Sequence, residues 1–270
     1  MLTLDEPVIA VYFGILAAVL GAVFGSFLNC FAWRIAHNEK ITKGRSHCPT
    51  CGHTLGVMDL IPVFSWLIRG GKCHYCKARI SVRYLLAELF MAGMFVWTVF
   101  TDEISVRCLR DLIFLCVLFT VSLVDLEIYI LPNGGHIIML AAYVLALPFL
   151  PEGWWPELKS GLIGAVALAG GVWLVSFIMK QILKKETLGF GDVKLLFVTG
   201  LYVGPIRGLF GLVLACIIGI LFAAIGNAVG RKKNEENPAW IPFGPAISLG
   251  MYLMLLVGTP LVNAYLSLYA

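Results

Sequence analysis

The chain has 270 residues, 60% of them hydrophobic and only 13% charged, with a mean hydropathy of +0.89. Soluble domains run at about 45–50% apolar and about 25% charged, so this balance excludes a soluble globular protein and points to a chain largely dissolved in lipid. A net charge of +4 is too small to suggest nucleic-acid binding.

A helix that crosses a bilayer needs about 20 mainly apolar residues. Residues 1–7 lack the positive region that opens a cleavable signal, so the first apolar stretch is expected to be a retained span. Eight candidate spans follow in chain order, at 8–33, 85–100, 111–124, 134–150, 161–182, 193–203, 208–229 and 245–265. The third and sixth are short, and each extends past or breaks near an aspartate. The expected fold is an all-α membrane protein of about eight transmembrane helices, with a small cytoplasmic zinc-binding loop module between the first two. The chain divides accordingly into a first span (1–33), a polar cysteine loop (34–83) and a seven-helix membrane region (84–270).

Orientation follows from Lys and Arg between the spans. Sixteen of the twenty lie in 34–83, around 180–194 and in 230–244; Arg107, Arg110, Lys159 and Arg207 fall to the other side. The basic set is therefore cytoplasmic, and both chain ends are outside. Trp154 and Trp155 are expected in an outer loop, as part of an interfacial aromatic belt. Arg231-Lys232-Lys233 with Asn-Glu-Glu reads as a solvated loop.

The loop holds Cys48-Pro-Thr-Cys51 and Cys73-His-Tyr-Cys76, separated by 21 residues. Paired C-x2-C knuckles at this spacing are a strong zinc signal, and four thiolates close a tetrahedral site, making it structural rather than catalytic. His47, His53 and His74 lie beside the knuckles as competing ligands; a redox role for the pairs is the other alternative. Cys30, Cys108, Cys116 and Cys216 lie singly in or beside apolar stretches and read as small hydrophobes. The apolar stretch Asp59 to Ile68, too short to span, is expected to pack on the zinc module or lie in the interface. Glu88 follows the loop and reads as a partner for Arg83 or Arg34, or as part of a second site.

Two acids stand out in the membrane region. Asp125 ends the third span and Asp192 begins the sixth, so the assigned topology puts both at cytoplasmic helix ends. An ionisable side chain at a span centre costs about 2.5–3.5 kcal/mol, which makes it a functional candidate, though the force of that argument weakens near the interface. Taken singly, Asp125 could be a solvated helix end and Asp192 a helix cap. Gly189 and Gly191 favour a function for Asp192, because glycine permits sharp turns and the close approach of another chain. Two carboxylates sharing one proton can activate a water and protonate a leaving amine. Lys194 reads as a positive-inside anchor. Pro242-Phe243-Gly244-Pro245 stiffens the chain before the last span, on the same side as both acids.

Together these pieces resemble the type IV prepilin peptidases, a GxGD aspartyl protease family of bifunctional leader peptidases and N-methyltransferases. The resemblance runs over nearly the whole chain. It rests on Gly25-Ser26-Phe27-Leu28-Asn29 with Arg34, the two Cys pairs, Asp59-Leu60-Ile61-Pro62, Ile80-Ser81 with Arg83-Tyr84 and Glu88, Asp125 with Leu131-Pro132, Gly189-Phe190-Gly191-Asp192 with Lys194, and Pro242-Phe243-Gly244-Pro245. Asn133 stands where many members carry Asp. The resemblance implies that Asp125 and Asp192 are the catalytic acids. It implies that prepilins and the pilin-like subunits of type II secretion or competence systems lose a short basic leader at the cytoplasmic face of the bacterial inner membrane. It implies, finally, that the new N-terminal amine is methylated from S-adenosylmethionine, with the cysteine loop belonging to the methyltransferase half; no residue is assigned to that cofactor. Two other readings are a peptidase without the transferase and a zinc-bearing transporter with an aspartate ion relay.

Overall fold

The computed structural model describes residues 6–40, 46–151, 153–184, 189–228 and 242–268. The described residues form an all-α protein, whose α-helices are α1 (Pro7–Ala36), α2 (Phe64–Ile68), α3 (Val82–Asp102), α4 (Val106–Ile128), α5 (Asn133–Ala146), α6 (Trp154–Leu183), α7 (Phe190–Val203), α8 (Pro205–Ala228) and α9 (Gly244–Leu266). Each of the eight apolar segments falls on a helix. Among the described residues, α1, α3, α6, α8 and α9 are long and apolar enough to cross a membrane. Large apolar side chains such as Val8, Val11 and Ile15 point outward, which suits a lipid solvent.

Several helix ends differ from the sequence expectation. The third segment is not short: α4 has 23 residues and begins at Val106. Arg107 and Arg110, expected in an outer loop, lie within it. Arg110 is buried because its Nε donates to Asp111 Oδ1 at 2.6 Å, a neutralising pair that lets a charged turn remain inside. Trp154 and Trp155 are likewise not in a loop but open α6 after Gly153. The segment around α7 is short as expected, at 14 residues, about 21 Å of helix. Gly204 turns the chain from α7 into α8 at φ +75, where only glycine is at ease, and Pro205 supplies the preset φ of the first helical residue. The basic run 231–233 lies outside the described residues.

The chain divides into two compact units, Met1–Leu112 and Ile113–Ala270, with α4 running across the division. In the first, α1 and α3 run antiparallel in close backbone contact. A Cβ at Gly21 would lie 2.5 Å from the Met91 carbonyl oxygen, and one at Gly25 would lie 2.8 Å from that of Ala87. Small residues four apart let backbones approach where lipid offers no hydrophobic drive for association. Phe24 and Phe95 stack beside this seam at 5.7 Å. Gly21→Ala is therefore expected to lower thermal stability in detergent, by about 1–3 kcal/mol. An unchanged melting temperature would remove this account of the α1–α3 contact.

The second unit repeats the device. Gly164 faces Gly200 across α6 and α7, and Gly211 faces Gly250 across α8 and α9. Its core is aromatic: Phe114 stacks on Tyr202 at 3.9 Å, and Tyr202 also meets Tyr143. The hydroxyls of these two tyrosines have acceptors: Tyr202 donates to the Met139 carbonyl at 2.6 Å and Tyr143 to that of Glu157 at 3.0 Å. Buried tyrosines need such partners, and these pin α5 against its neighbours.

Candidate active site and cysteine centre

Asp125 lies one turn before the end of α4. It is buried, and its Oδ2 accepts the backbone N–H of Gly244 at 3.0 Å. That N–H is one of the donors left open at the start of α9, where an anion is favoured. Asp192 is in the first turn of α7, following the N-cap Gly189. It is partly buried, and it is close enough to Asp125 for the charge on Asp125 to act on it. Gly191, beside Asp192, and Gly244, beside Asp125, both approach the Leu131 side chain, so the two acids, 67 positions apart in the sequence, fall in one neighbourhood.

A single side chain organises the space between them. After α4 the chain turns through Tyr129, at φ +58, and presents Leu131. A Cβ on Gly191 would lie 3.1 Å from Leu131 Cδ1, and one on Gly244 would lie 2.9 Å from Leu131 Cδ2 and 2.8 Å from Asp125 Oδ2. Leu131 therefore wedges between two positions that have no side chain of their own. Neither Gly189 nor Gly191 needs a positive φ; the close approach expected at this motif is made by the chain itself. Gly244→Ala is expected to push Asp125 off its N–H anchor and lower whatever turnover the two acids support at least about tenfold, at the cost of roughly one charge-assisted hydrogen bond. Wild-type turnover in that variant would show the anchor to be dispensable.

Two further residues take places that sequence reasoning did not give them. Lys194, read as a membrane anchor, donates to Asn133 Oδ1 at 2.9 Å and lies over the Phe190 ring. An aspartate at position 133 would make this an ion pair; asparagine makes it a hydrogen bond from an ammonium to a neutral acceptor. Phe243 turns its ring onto Gly219 of α8, leaving Gly244 to face the acid.

The cysteine centre belongs to the first unit. Each knuckle is a short bridged hairpin, His47 to Thr54 and Lys72 to Arg79. The Cys48 N–H donates to the His53 carbonyl and the Cys73 N–H to that of Ala78. The residue after each second cysteine, Gly52 or Lys77, takes a positive φ. This shared geometry gathers the sulfurs of Cys48, Cys51, Cys73 and Cys76 within 4.8 Å of one another. The Cys48–Cys76 Sγ separation is 3.8 Å, against the ~3.8 Å expected for sulfurs placed tetrahedrally at ~2.3 Å around zinc. The backbone N–H of Cys51, then that of Thr50, pulls the Cys48 thiol down to about 6 against the effect of burial. For Cys76 a hydrogen bond from Ala78 works the other way, but burial and the neighbouring sulfurs push it up to about 11. Sulfurs this close favour sharing a cation. Among the described residues no histidine joins the cluster: His53 lies tilted against Tyr75, with ring centroids 3.5 Å apart, and His74 meets the Tyr75 ring edge-on.

Between the knuckles, Val57–Asp59 form a 3-10 turn, followed by α2. The Gly56 N–H and Arg69 hold Asp59 below the usual carboxylate range, and Tyr75 adds a hydrogen bond. The stabilisation from Asp59 is therefore complete above a carboxylate's ordinary pKa of ~3.9 and is lost as pH falls through its lowered value. Glu88 of α3 is buried, and its Oε2 accepts the backbone N–H of Val63 at 2.7 Å. Val63 has φ +63 and ψ −56, a conformation that β-branched residues avoid. The Glu88 carboxylate thus fixes a strained backbone turn.

Two family models match the chain, the Bacterial Peptidase A24 N-terminal domain over residues 19–101 and the Type IV leader peptidase family over residues 112–224. A Prepilin leader peptidase/N-methyltransferase of Bacillus subtilis (strain 168) is 30% identical, over 93% of this chain and 96% of the relative. The chain belongs to the type IV leader peptidase family. Other members include the Type 4 prepilin-like proteins leader peptide-processing enzyme of Escherichia coli O78:H11, 31% identical over 87% of this chain and 91% of the relative. The Prepilin leader peptidase/N-methyltransferase of Aeromonas salmonicida is 33% identical over 83% and 75%. No solved structure matches. The family's two models meet near the division between the two compact units, so the acids fall in the part matched by the leader peptidase model and the cysteines in the other.

Proposed function

We propose that this chain cleaves the short basic leader from type IV prepilins and pilin-like secretion subunits, then N-methylates the new N-terminal residue. The observation that carries the reading is the Asp125 carboxylate held by the Gly244 N–H, with Gly191, the neighbour of Asp192, on the other side of the same Leu131 side chain. One carboxylate takes a proton from water as the water oxygen attacks the scissile carbonyl. The other, protonated, donates its proton to the carbonyl oxygen; the first then gives the proton it took from water to the leaving amine as the C–N bond breaks, and the second recovers a proton from a hydroxyl of the collapsing intermediate. The Gly244 anchor fixes the direction of the Asp125 carboxylate.

All eight apolar helices cross the bacterial inner membrane in this reading, and the positive loops put the acids on the cytoplasmic side. Residues 84–270 form the peptidase region, while residues 34–83 and their zinc serve methyl transfer. Cys48, Cys51, Cys73 and Cys76 hold the zinc, which has a structural role. S-adenosylmethionine, when bound, supplies the methyl group; the chain's part is to hold the amine beside it and accept the proton that the amine loses. Purified protein in lipid nanodiscs, given a synthetic prepilin and S-adenosylmethionine, should yield the free leader and a mature peptide heavier by one methyl group. An uncut substrate would overturn the proposal, and a cut but unmethylated one would leave a peptidase alone.

A further inference from the structure

The first unit contains a cavity of about 370 Å³ that the peptidase chemistry does not use. It is lined by α1, the cysteine loop and the start of α3, within the size range of small-molecule sites. Trp33, Trp66 and Tyr84 supply aromatic walls, Glu88 an acid, and Arg34 and Arg79 guanidinium groups. Cys48 and Cys73 also line it, so the cavity abuts the sulfur cluster. We propose that this cavity is the binding site for S-adenosylmethionine, with Glu88 and Trp66 as its main polar contacts.

Two observations carry the assignment. Among the described residues, the buried Trp66 Nε1–H has no acceptor, which is costly unless a ligand or water completes it. Among the same residues, Glu88 spends one oxygen on the Val63 N–H, which leaves the other for a donor or cation in the cavity. A buried donor, a buried acid, aromatic faces and guanidinium groups in one enclosure match this ligand group for group. It has a flat purine to stack, ring nitrogens to accept an N–H, a ribose diol and an ammonium to meet a carboxylate, and its own carboxylate to meet an arginine. Its sulfonium makes the net charge positive, which an acid such as Glu88 favours. The cysteine loop forms one wall, so its metal would shape the pocket without touching the ligand.

The inference rests on the methyl-transfer reading, and direct binding separates the two. The full chain in nanodiscs would be titrated with labelled S-adenosylmethionine by equilibrium dialysis. Wild type should bind saturably. Glu88→Gln, which keeps an acceptor for Val63, and Trp66→Phe, which keeps the ring, should each bind at least about tenfold more weakly. Leu86→Ala, on the exposed face of α3, should bind as wild type does. A second measurement needs no variant. Cys30 lines the cavity, so saturating ligand should slow its alkylation by maleimide several-fold, read by mass spectrometry of its peptide. If wild type binds no ligand, the methyl-transfer reading falls and takes this site with it. If wild type binds but the two variants bind equally well, or Cys30 gains no protection, the cavity assignment is overturned while methyl transfer stands.

Discussion

Asp125→Asn and Asp192→Asn are each expected to reduce prepilin cleavage at least about 10³-fold, the scale lost with one proton-transferring group. Asparagine at 125 keeps an oxygen to accept the Gly244 N–H, so the variant should fold and keep the wild-type melting temperature. That design separates chemistry from architecture. Asp125→Leu, by contrast, would strand a buried N–H as well as remove the acid, and its loss would be harder to interpret. Cleavage at the wild-type rate in either Asn variant would end the acid-pair account. If the two acids act as one unit, the double variant should be scarcely slower than either single one.

Cys73→Ser is expected to release the metal and to abolish methylation while reducing cleavage much less. Cys73 is only 3% exposed, the more buried of the two buried ligands, so its loss opens the centre from the inside. A structural zinc site is worth about 10–16 kcal/mol of coupled binding and folding, far more than the rest of a small loop supplies. Metal content by plasma mass spectrometry, with both activities assayed on one preparation, gives the answer. Full metal content in the variant would refute the four-sulfur site. Equal loss of the two activities would instead assign zinc a general folding role.

The parts of this fold legible in the sequence are those written in one-dimensional patterns. Hydropathy located eight helical segments because lipid demands long apolar runs, and the C-x2-C spacing announced a sulfur cluster because a tetrahedral cation requires two turns of that kind. Errors arose where a charge is cancelled by a neighbour. Arg110 reads as a loop residue until Asp111 is seen to neutralise it inside α4. The acids were legible as individuals, but their surroundings were not. The Gly244 N–H lies 119 positions from the carboxylate it anchors, and Leu131 means nothing until two glycines are seen on either side of it. Glu88 was legible as a buried acid, yet its bond to Val63 depends on a rare backbone angle that no residue pattern encodes. Gly21 and Gly25 did carry a readable signal, the four-residue spacing of small residues within an apolar helix.

The Leu131 wedge has a genetic corollary. The three atoms that a methyl group added at Gly191 would meet first, at 3.1–3.4 Å, all belong to Leu131. The damage from Gly191→Ala should therefore reside in one removable side chain. Random mutagenesis of an inactive Gly191→Ala strain, selected for restored prepilin processing, should return Leu131→Ala or Leu131→Val as an intragenic suppressor. The same changes should fail to repair Gly244→Ala, where the added methyl also meets the Asp125 carboxylate. Suppressors that map elsewhere, with none at position 131, would mean the wedge does not set the tolerance of this motif.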